Sequence, residues 1–298
     1  AVIKVRVGAD ARAAKGWLGA HRWLLLRRLS QLGIVALFLA GPWFGLWLVK
    51  GNLASSLTLG VLPLTDPYVA LQLLLAGHAP RTTLLLGAAI VLVFYLLVGG
   101  RSYCAWVCPL NPVTDAAAWL RRRFGIRTSS RLSRDTRFWL LAMTLVVALV
   151  SGSIAWELVN PVSLTQRALI FGGLAAWAVV FAVFAFDLFV VQHGWCGHLC
   201  PVGAFYSLPG RLSVLRVVAV QRSACNDCAD CYAVCPEFTI IKPALKAVDG
   251  AGPVIQSSQC TNCGRCIDVC SKDVFGFGTR WSREDAAALH RRAAAEAG

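Results

Sequence analysis

Eight of the twelve cysteines fall into two runs of identical spacing. Cys225, Cys228, Cys231 and Cys235 form C-x2-C-x2-C-x3-C followed by Pro236, and Cys260, Cys263, Cys266 and Cys270 repeat it 35 residues on (225 to 260). This is the spacing of chains that wrap two [4Fe–4S] clusters, in which three thiolates of a run hold one cluster and the fourth reaches the other. Soft thiolates suit iron–sulfur centres. Cys225, Cys228, Cys231 and Cys270 are therefore expected to ligate one cluster, and Cys260, Cys263, Cys266 and Cys235 the second. A structural zinc site would pair two C-x2-C knuckles across a longer gap, and a disulfide framework belongs to small secreted chains. Ser271 stands where the pattern carries a second proline, which touches local geometry but no ligand. The spacing predicts a C-terminal α+β domain of two pseudo-symmetric halves.

The remainder is read by hydropathy. Hydrophobic residues make up 57% of the chain and charged ones 15%, with mean hydropathy +0.62, whereas soluble domains carry roughly 25% charge. Four stretches approach the about 20 apolar residues that a transmembrane helix needs: 29–49, 82–100, 138–156 and 168–186, the last extending past Asp187 to Gln192. The first is too long for a signal-peptide core and no small-residue cleavage site follows it cleanly, so it reads as a retained anchor. Pro42 within it predicts a kink. Ser151, Gly152 and Ser153, and Gly172 with Gly173, read as close helix packing.

Basic residues set the orientation. Arg6, Arg12, Lys15, Arg22, Arg27 and Arg28 precede the first stretch, and Arg121, Arg122, Arg123, Arg127, Arg131 and Arg134 lie between the second and third. The segments 50–81 and 157–167 carry almost none. Both termini are expected on the cytoplasmic side, with two short loops outside. The formal net charge of +14 then reflects topology and contact with anionic lipid headgroups, not nucleic acid. The expected organisation is a basic N-terminal arm (1–28), a four-helix membrane domain (29–215), the ferredoxin-type domain (216–281) and a helical tail (282–298).

The other four cysteines disclose a repeat. Tyr103-Cys104-x3-Cys108-Pro109 follows the second stretch and Trp195-Cys196-x3-Cys200-Pro201 the fourth, 92 residues apart (104 to 196). The unit is helix, outer loop, helix, C-x3-C-P, a two-fold internal repeat. Cysteines four apart share a helix face, and the proline tends to end that helix. Three readings stand side by side: four thiolates holding a third metal centre, two dithiols cycling with disulfides, or buried packing residues. His198, between Cys196 and Cys200, is a further possible ligand without a counterpart in the first motif.

No C-x-x-C-H is present for covalent haem, and no histidine falls within an apolar stretch. No nucleotide-binding glycine motif occurs. Ionisable groups at or near membrane depth are functional candidates: Asp187, Glu157, Asp66, His78 and Arg81. A quinol site needs a proton acceptor such as a carboxylate or histidine, and these residues are its candidates, with interfacial caps or ion pairs as the plainer alternative.

The segments GNLASSLTLGVLPLTDPYVALQ, GGRSYCAWVCPLNPVTDAAAWLRRRFG, FDLFVVQHGWCGHLCPVGA and CGRCIDVCSKDVF resemble the NapH family, over about residues 16–281 with all twelve cysteines in matching order. Glu237-Phe238-Thr239 departs from the Glu-Pro-His type expected there, without touching a ligand. The resemblance implies a multi-pass ferredoxin-type subunit in the bacterial inner membrane. It implies a quinol dehydrogenase that works with a periplasmic iron–sulfur protein of the NapG type, drawing electrons from the quinone pool and passing them toward periplasmic nitrate reductase. A methylamine-oxidation relative is a close variant. Related polyferredoxins make a copper reductase or cofactor-assembly factor an alternative, mildly disfavoured by a single methionine, Met143. A redox sensor or assembly module without turnover is another. Clusters inside and an acceptor outside leave a gap of about 30 Å of hydrocarbon that no haem bridges.

Overall fold

The computed structural model describes residues 7–79, 81–126, 130 and 132–282. The expected tail falls almost wholly outside them. The chain opens with α1 (Ala9–Phe44), 36 residues long and apolar enough over part of its length to cross a membrane. The non-helical residue inside α1 is Gly16 (φ 72°), not Pro42, which sits in the last turn. An antiparallel sheet β1 (Val49–Gly51), β2 (Ser55–Thr58) and β3 (Leu62–Thr65) follows. Then come α2 (Pro67–Leu75) and α3 (Thr82–Val98). A short α4 (Ser102–Trp106) carries Cys104 into α5 (Asn111–Arg123). The second half holds α6 (Thr136–Ser151), α7 (Ala155–Val159), α8 (Pro161–Phe171) and α9 (Leu174–Ala185). Two π-turns, Phe186–Val190 and Trp195–Leu199, lead to α10 (Pro201–Ser207).

Hydropathy overstates the regular helix in these stretches. The first ends at Phe44, where Gly45 closes α1 at φ 72° and Val49 already opens β1. The third stops at Ser151, capped by left-handed Gly152. The fourth is two helices, because Gly172 (φ 77°) and Gly173 (φ 111°) turn the chain between α8 and α9. These glycines make turns and are not packing contacts. A Cβ at Gly172 or Gly173 would meet nothing within 4 Å, and one at Gly152 only the Ala76 carbonyl at 3.8 Å. A hydropathy average cannot register positive φ, which glycine alone adopts cheaply.

The C-terminal part pairs β4 (Leu215–Ala219) with β5 (Phe275–Thr279), antiparallel, with Val217 opposite Phe277. Around this ribbon lie α11 (Asp230–Val234), α12 (Ile241–Lys246) and α13 (Arg265–Asp268). Val217, Ile241, Leu245, Ile255 and Phe275 form its core with the cysteines. Each cysteine run takes left-handed backbone at the same two offsets, Asp227 and Ala229 in the first, Asn262 and Gly264 in the second. The two loops thus coil alike, as two pseudo-symmetric halves require.

Buried ion pairs join this part to the helices. Arg101 and Arg137 donate to Glu237 Oε1 at 3.1 and 3.2 Å, and Arg134 pairs with its Oε2. Arg101, Arg137 and Glu237 are each at most 2% exposed by side chain. The chain ends of α3 come close: a Cβ at Gly100 would lie 2.0 Å from the Tyr206 carbonyl, and Val214 N–H donates to Leu96 O at 3.1 Å. On the other flank α1 is fastened to the cluster-run helices. Gly8 N–H donates to Asp230, and the N–H groups of Trp23 and Leu24 to Asp268. Trp23 lies against Gly264 and meets Phe277 edge-on.

Removing one partner of a buried ion pair leaves an uncompensated charge, at about 3–5 kcal/mol. Glu237→Gln is expected to lower stability by about that much, read as a drop in the unfolding midpoint of the full chain in detergent. An unchanged midpoint would show that the junction does not depend on this carboxylate.

Candidate iron–sulfur centres

The left-handed loops bring the thiols of one run towards the fourth thiol of the other. Burial and the neighbouring Cys228, Cys270 and Cys225 push the Cys231 thiol up to about 12. Burial likewise raises Cys235, whose thiol neighbours are Cys263 and Cys260. Cys266 joins that set, with Cys263, Cys260 and Cys235 as neighbours, so each neighbourhood holds three thiols of one run and the fourth of the other. Burial opposes the Cys263 thiolate too, yet Arg265 and Arg27 beside it more than offset this and hold it below the usual thiol value. Val274 N–H donates to Cys270 Sγ at 3.4 Å.

Cys235, Cys260, Cys263 and Cys266 enclose an apolar-walled cavity of about 20 Å³. A second cavity of about 20 Å³ is enclosed by Cys104, Cys108, Cys196 and Cys200. Tyr103, Trp156, Trp195 and Val202 are among its walls, and His198 is not. The two C-x3-C-P motifs, remote in sequence, thus meet at one place. Among the described residues all twelve cysteines are free, and no three His, Cys, Asp or Glu side chains converge tightly enough for a single metal ion. Each quartet gathers four soft thiols about one small apolar space, the donor chemistry that iron–sulfur groups use.

The two cavities are neighbours across Arg101. Its guanidinium donates to Cys196 O at 3.0 Å and to Gln259 O, adjoining Cys260, at 3.1 Å.

The ionisable candidates separate into two sets. Asp66 is buried, caps α2 through Tyr68 N–H, and accepts the Tyr206 hydroxyl at 3.1 Å. Glu157 accepts from Ser163 Oγ and from Asn160 Nδ2, and Asn160 caps α8 through Val162 N–H. Asp187, fully buried, accepts Trp195 N–H at 2.8 Å beside Cys196. These three lie around the C-x3-C-P thiols. His78 and Arg81 do not: His78 Nε2 meets Gly152 O at 3.1 Å at the far end of α6, and Arg81 is exposed at the start of α3.

Sequence reasoning missed Arg101, Glu237, Trp156 and a set of stacked tyrosines. Tyr103 stacks on Tyr206 with ring centroids 5.1 Å apart, and Tyr95 meets Tyr206 edge-on at 5.0 Å. A signal for the outer segments was present. Asp66-Pro67-x4-Gln72 and Asn160-Pro161-x4-Gln166 stand 94 residues apart (66 to 160), nearly the spacing of the cysteine motifs. Each opens a short helix, α2 and α8, with proline in the first turn, where its missing N–H costs nothing.

Eight thiols coiled in two like loops, with four more gathered beside them, define an iron–sulfur electron-transfer protein. A 4Fe-4S binding domain family matches residues 80–127 and again 169–217, and a 4Fe-4S dicluster domain family matches 217–271. The ferredoxin-type protein NapH of Escherichia coli is 49% identical over 92% of this chain and 96% of its own length. NapH of Haemophilus influenzae is 46% identical over 92% and 96%. The methylamine utilization ferredoxin-type protein MauN of Methylorubrum extorquens is 55% identical over 80% and 83%. No solved structure matches the chain. The chain belongs to the NapH family of ferredoxin-type proteins, to which the MauN proteins are also similar.

If the runs exchange their fourth thiols, Cys235→Ser removes the cluster of the other run. Cys235→Ser should lower iron by about four atoms per chain. Adding Cys263→Ser should change little more, and adding Cys231→Ser should remove a second set. Iron and sulfide analysis of anaerobically purified protein reads this. The reverse pattern would assign each run its own cluster.

Proposed function

We propose that this chain is the membrane-embedded electron-transfer subunit of a quinol dehydrogenase, passing electrons from quinol toward a periplasmic iron–sulfur partner of the NapG type and nitrate reductase. The observation that supports the reading is the Arg101 contact, which ties the backbone at Cys196 of the C-x3-C-P motifs to the backbone beside Cys260 of the ferredoxin-type runs. Cys225, Cys228, Cys231 and Cys270 would hold one [4Fe–4S] cluster, Cys260, Cys263, Cys266 and Cys235 a second, and Cys104, Cys108, Cys196 and Cys200 a third. Bound clusters supply one-electron transfer. The third assignment is supported by the matching cavity size and by the 4Fe-4S binding domain match over both motifs. Thiols sunk among Tyr103, Trp156 and Val202 are poor candidates for redox cycling by themselves, since an apolar setting disfavours the thiolate.

α1, α3, α6 and α9 are the four proposed spans, in the inner membrane with both termini cytoplasmic. Leu29, Leu32, Leu86, Phe94, Trp139, Val150 and Phe181 stand exposed on them, an apolar surface that water would not tolerate over such an area. In this frame α2 and α8 are half-helices that enter from the outer side. Tyr68 of α2 meets Thr144 hydroxyl to hydroxyl at 2.6 Å, about two turns inside the end of α6. α2, of nine residues, then covers about 14 Å between the level of Tyr206 and the outer side. The four-thiol cavity, whose wall residue Tyr103 stacks on Tyr206, would then lie nearer to an outside partner than the ferredoxin-type thiols do. Asp66, hydrogen-bonded to the Tyr206 phenol, is the carboxylate placed to take a proton there.

The methylamine-utilization relatives support a second reading, the same subunit serving methylamine oxidation. Anaerobic titration of the full chain and its iron–sulfur partner with quinol, followed by EPR, tests the proposal. Reduced-cluster signals should appear on quinol addition and be lost in Cys104→Ser/Cys196→Ser. Clusters that reduce with dithionite yet stay silent with every quinol would overturn it.

A further inference from the structure

One cavity among the described residues belongs to neither quartet of thiols. It measures about 600 Å³, lies between α1, α5 and the cluster-run helices, and has the size of a small-molecule site. Its walls carry Arg12, Arg27, Arg28, Arg122, Arg123 and Arg265, six guanidinium groups against the two carboxylates of Asp115 and Asp268. Those carboxylates are already engaged. Asp268 accepts the backbone N–H groups of Trp23 and Leu24 at 3.0 and 2.9 Å. Asp115 is shared by Arg28, by Arg265 at 2.6 Å, and by Arg27 at 3.6 Å. Arg122 and Arg123 make no direct salt bridge among the described residues, Asp115 acting on Arg122 only through space.

Arg27 is the telling residue. It is 1% exposed, yet its Nε and Nη1 have no hydrogen-bond partner. A buried guanidinium with two N–H groups left unbonded and one distant ion pair is costly, and its planar fork fits the paired oxygens of a phosphate group. Guanidinium groups from α1, α5 and α13 converge on the same space, which places a fixed positive field where an anion would relieve their mutual repulsion.

We infer that this cavity binds a phosphate group, and the surroundings favour an anionic phospholipid as its source. Trp119 lines the cavity and is 57% exposed, and on α1 Leu29, next to Arg28, and Leu32, one turn beyond it, stand exposed. A headgroup seated among the arginines would lay its acyl chains along that apolar surface, with Trp119 at the interface. Val234, Arg265 and Val269 in the walls adjoin Cys235, Cys266 and Cys270. The bound anion would therefore tie the N-terminal helix to both cysteine runs.

Native mass spectrometry of the delipidated full chain in neutral detergent tests this, with equal phosphatidylglycerol and phosphatidylcholine, and in parallel a thermal-shift titration with inorganic phosphate. One phosphatidylglycerol should be retained in preference to phosphatidylcholine. Its retention should fall roughly tenfold in Arg27→Gln and in Arg122→Gln, and stay unchanged in Arg211→Gln, an exposed arginine elsewhere. Cluster absorption confirms that each variant is folded, and Arg122→Gln alone suffices if Arg27→Gln is not. A phosphate-dependent shift in the wild type that both variants lose, without lipid retention, supports the site with a soluble phosphate ester as its source. Equal retention of both lipids, or equal phosphatidylglycerol in all variants with no phosphate shift, would overturn the inference.

Discussion

The carboxylate of Glu237 ties the two parts of this molecule together at a deeply buried junction. Three arginines from the helical part, Arg101, Arg134 and Arg137, close on it, and Gln259 accepts further hydrogen bonds from Arg101 and Arg137. Charges this deeply buried are tolerable only when paired and hydrogen-bonded. The junction therefore has one low-energy arrangement and resists sliding. That arrangement matters because Glu237 lies two residues after Cys235 and Arg101 three before Cys104. The contact that orders the fold also sets the distance between the two groups of thiols.

The pseudo-symmetry of the helical part follows from its repeat. Each half supplies a short helix opened by Asp-Pro or Asn-Pro and a C-x3-C-P motif, and the halves meet at the four-thiol cavity. The symmetry is incomplete. Cys104 sits on an α-helical turn, whereas Cys196 sits on a π-turn, preceded by another at Phe186–Val190. π-turns cluster at functional sites, and here they carry Asp187 back to the Trp195 N–H. The second half thus gains a buried carboxylate beside its cysteines.

The basic N-terminal segment, read as an arm, packs as part of the body. Gly8, Lys15, Trp23 and Leu24 all bond to the cluster-run part, and Arg27 and Arg28 share Asp115 with Arg265. Positive charge here favours a thiolate: Arg27 and Arg265 act together on Cys263.

Spacing alone was enough to read the cysteine runs, their pseudo-symmetric halves and the C-x3-C-P repeat, because ligand geometry is local and each loop must coil over a few residues. Apolar composition likewise located the helical stretches, though their ends depended on glycine backbone angles at Gly45, Gly152, Gly172 and Gly173 that hydropathy does not encode. Which distant groups meet was decided only by tertiary packing. That Cys104 and Cys196 share a cavity, that Asp66 reaches Tyr206, and that Arg101 lies between two sets of thiols are contacts over 92 to 158 residues of chain. Such contacts arise because buried charges and apolar faces must be satisfied all at once, and that condition belongs to the packed molecule and to no single segment of it.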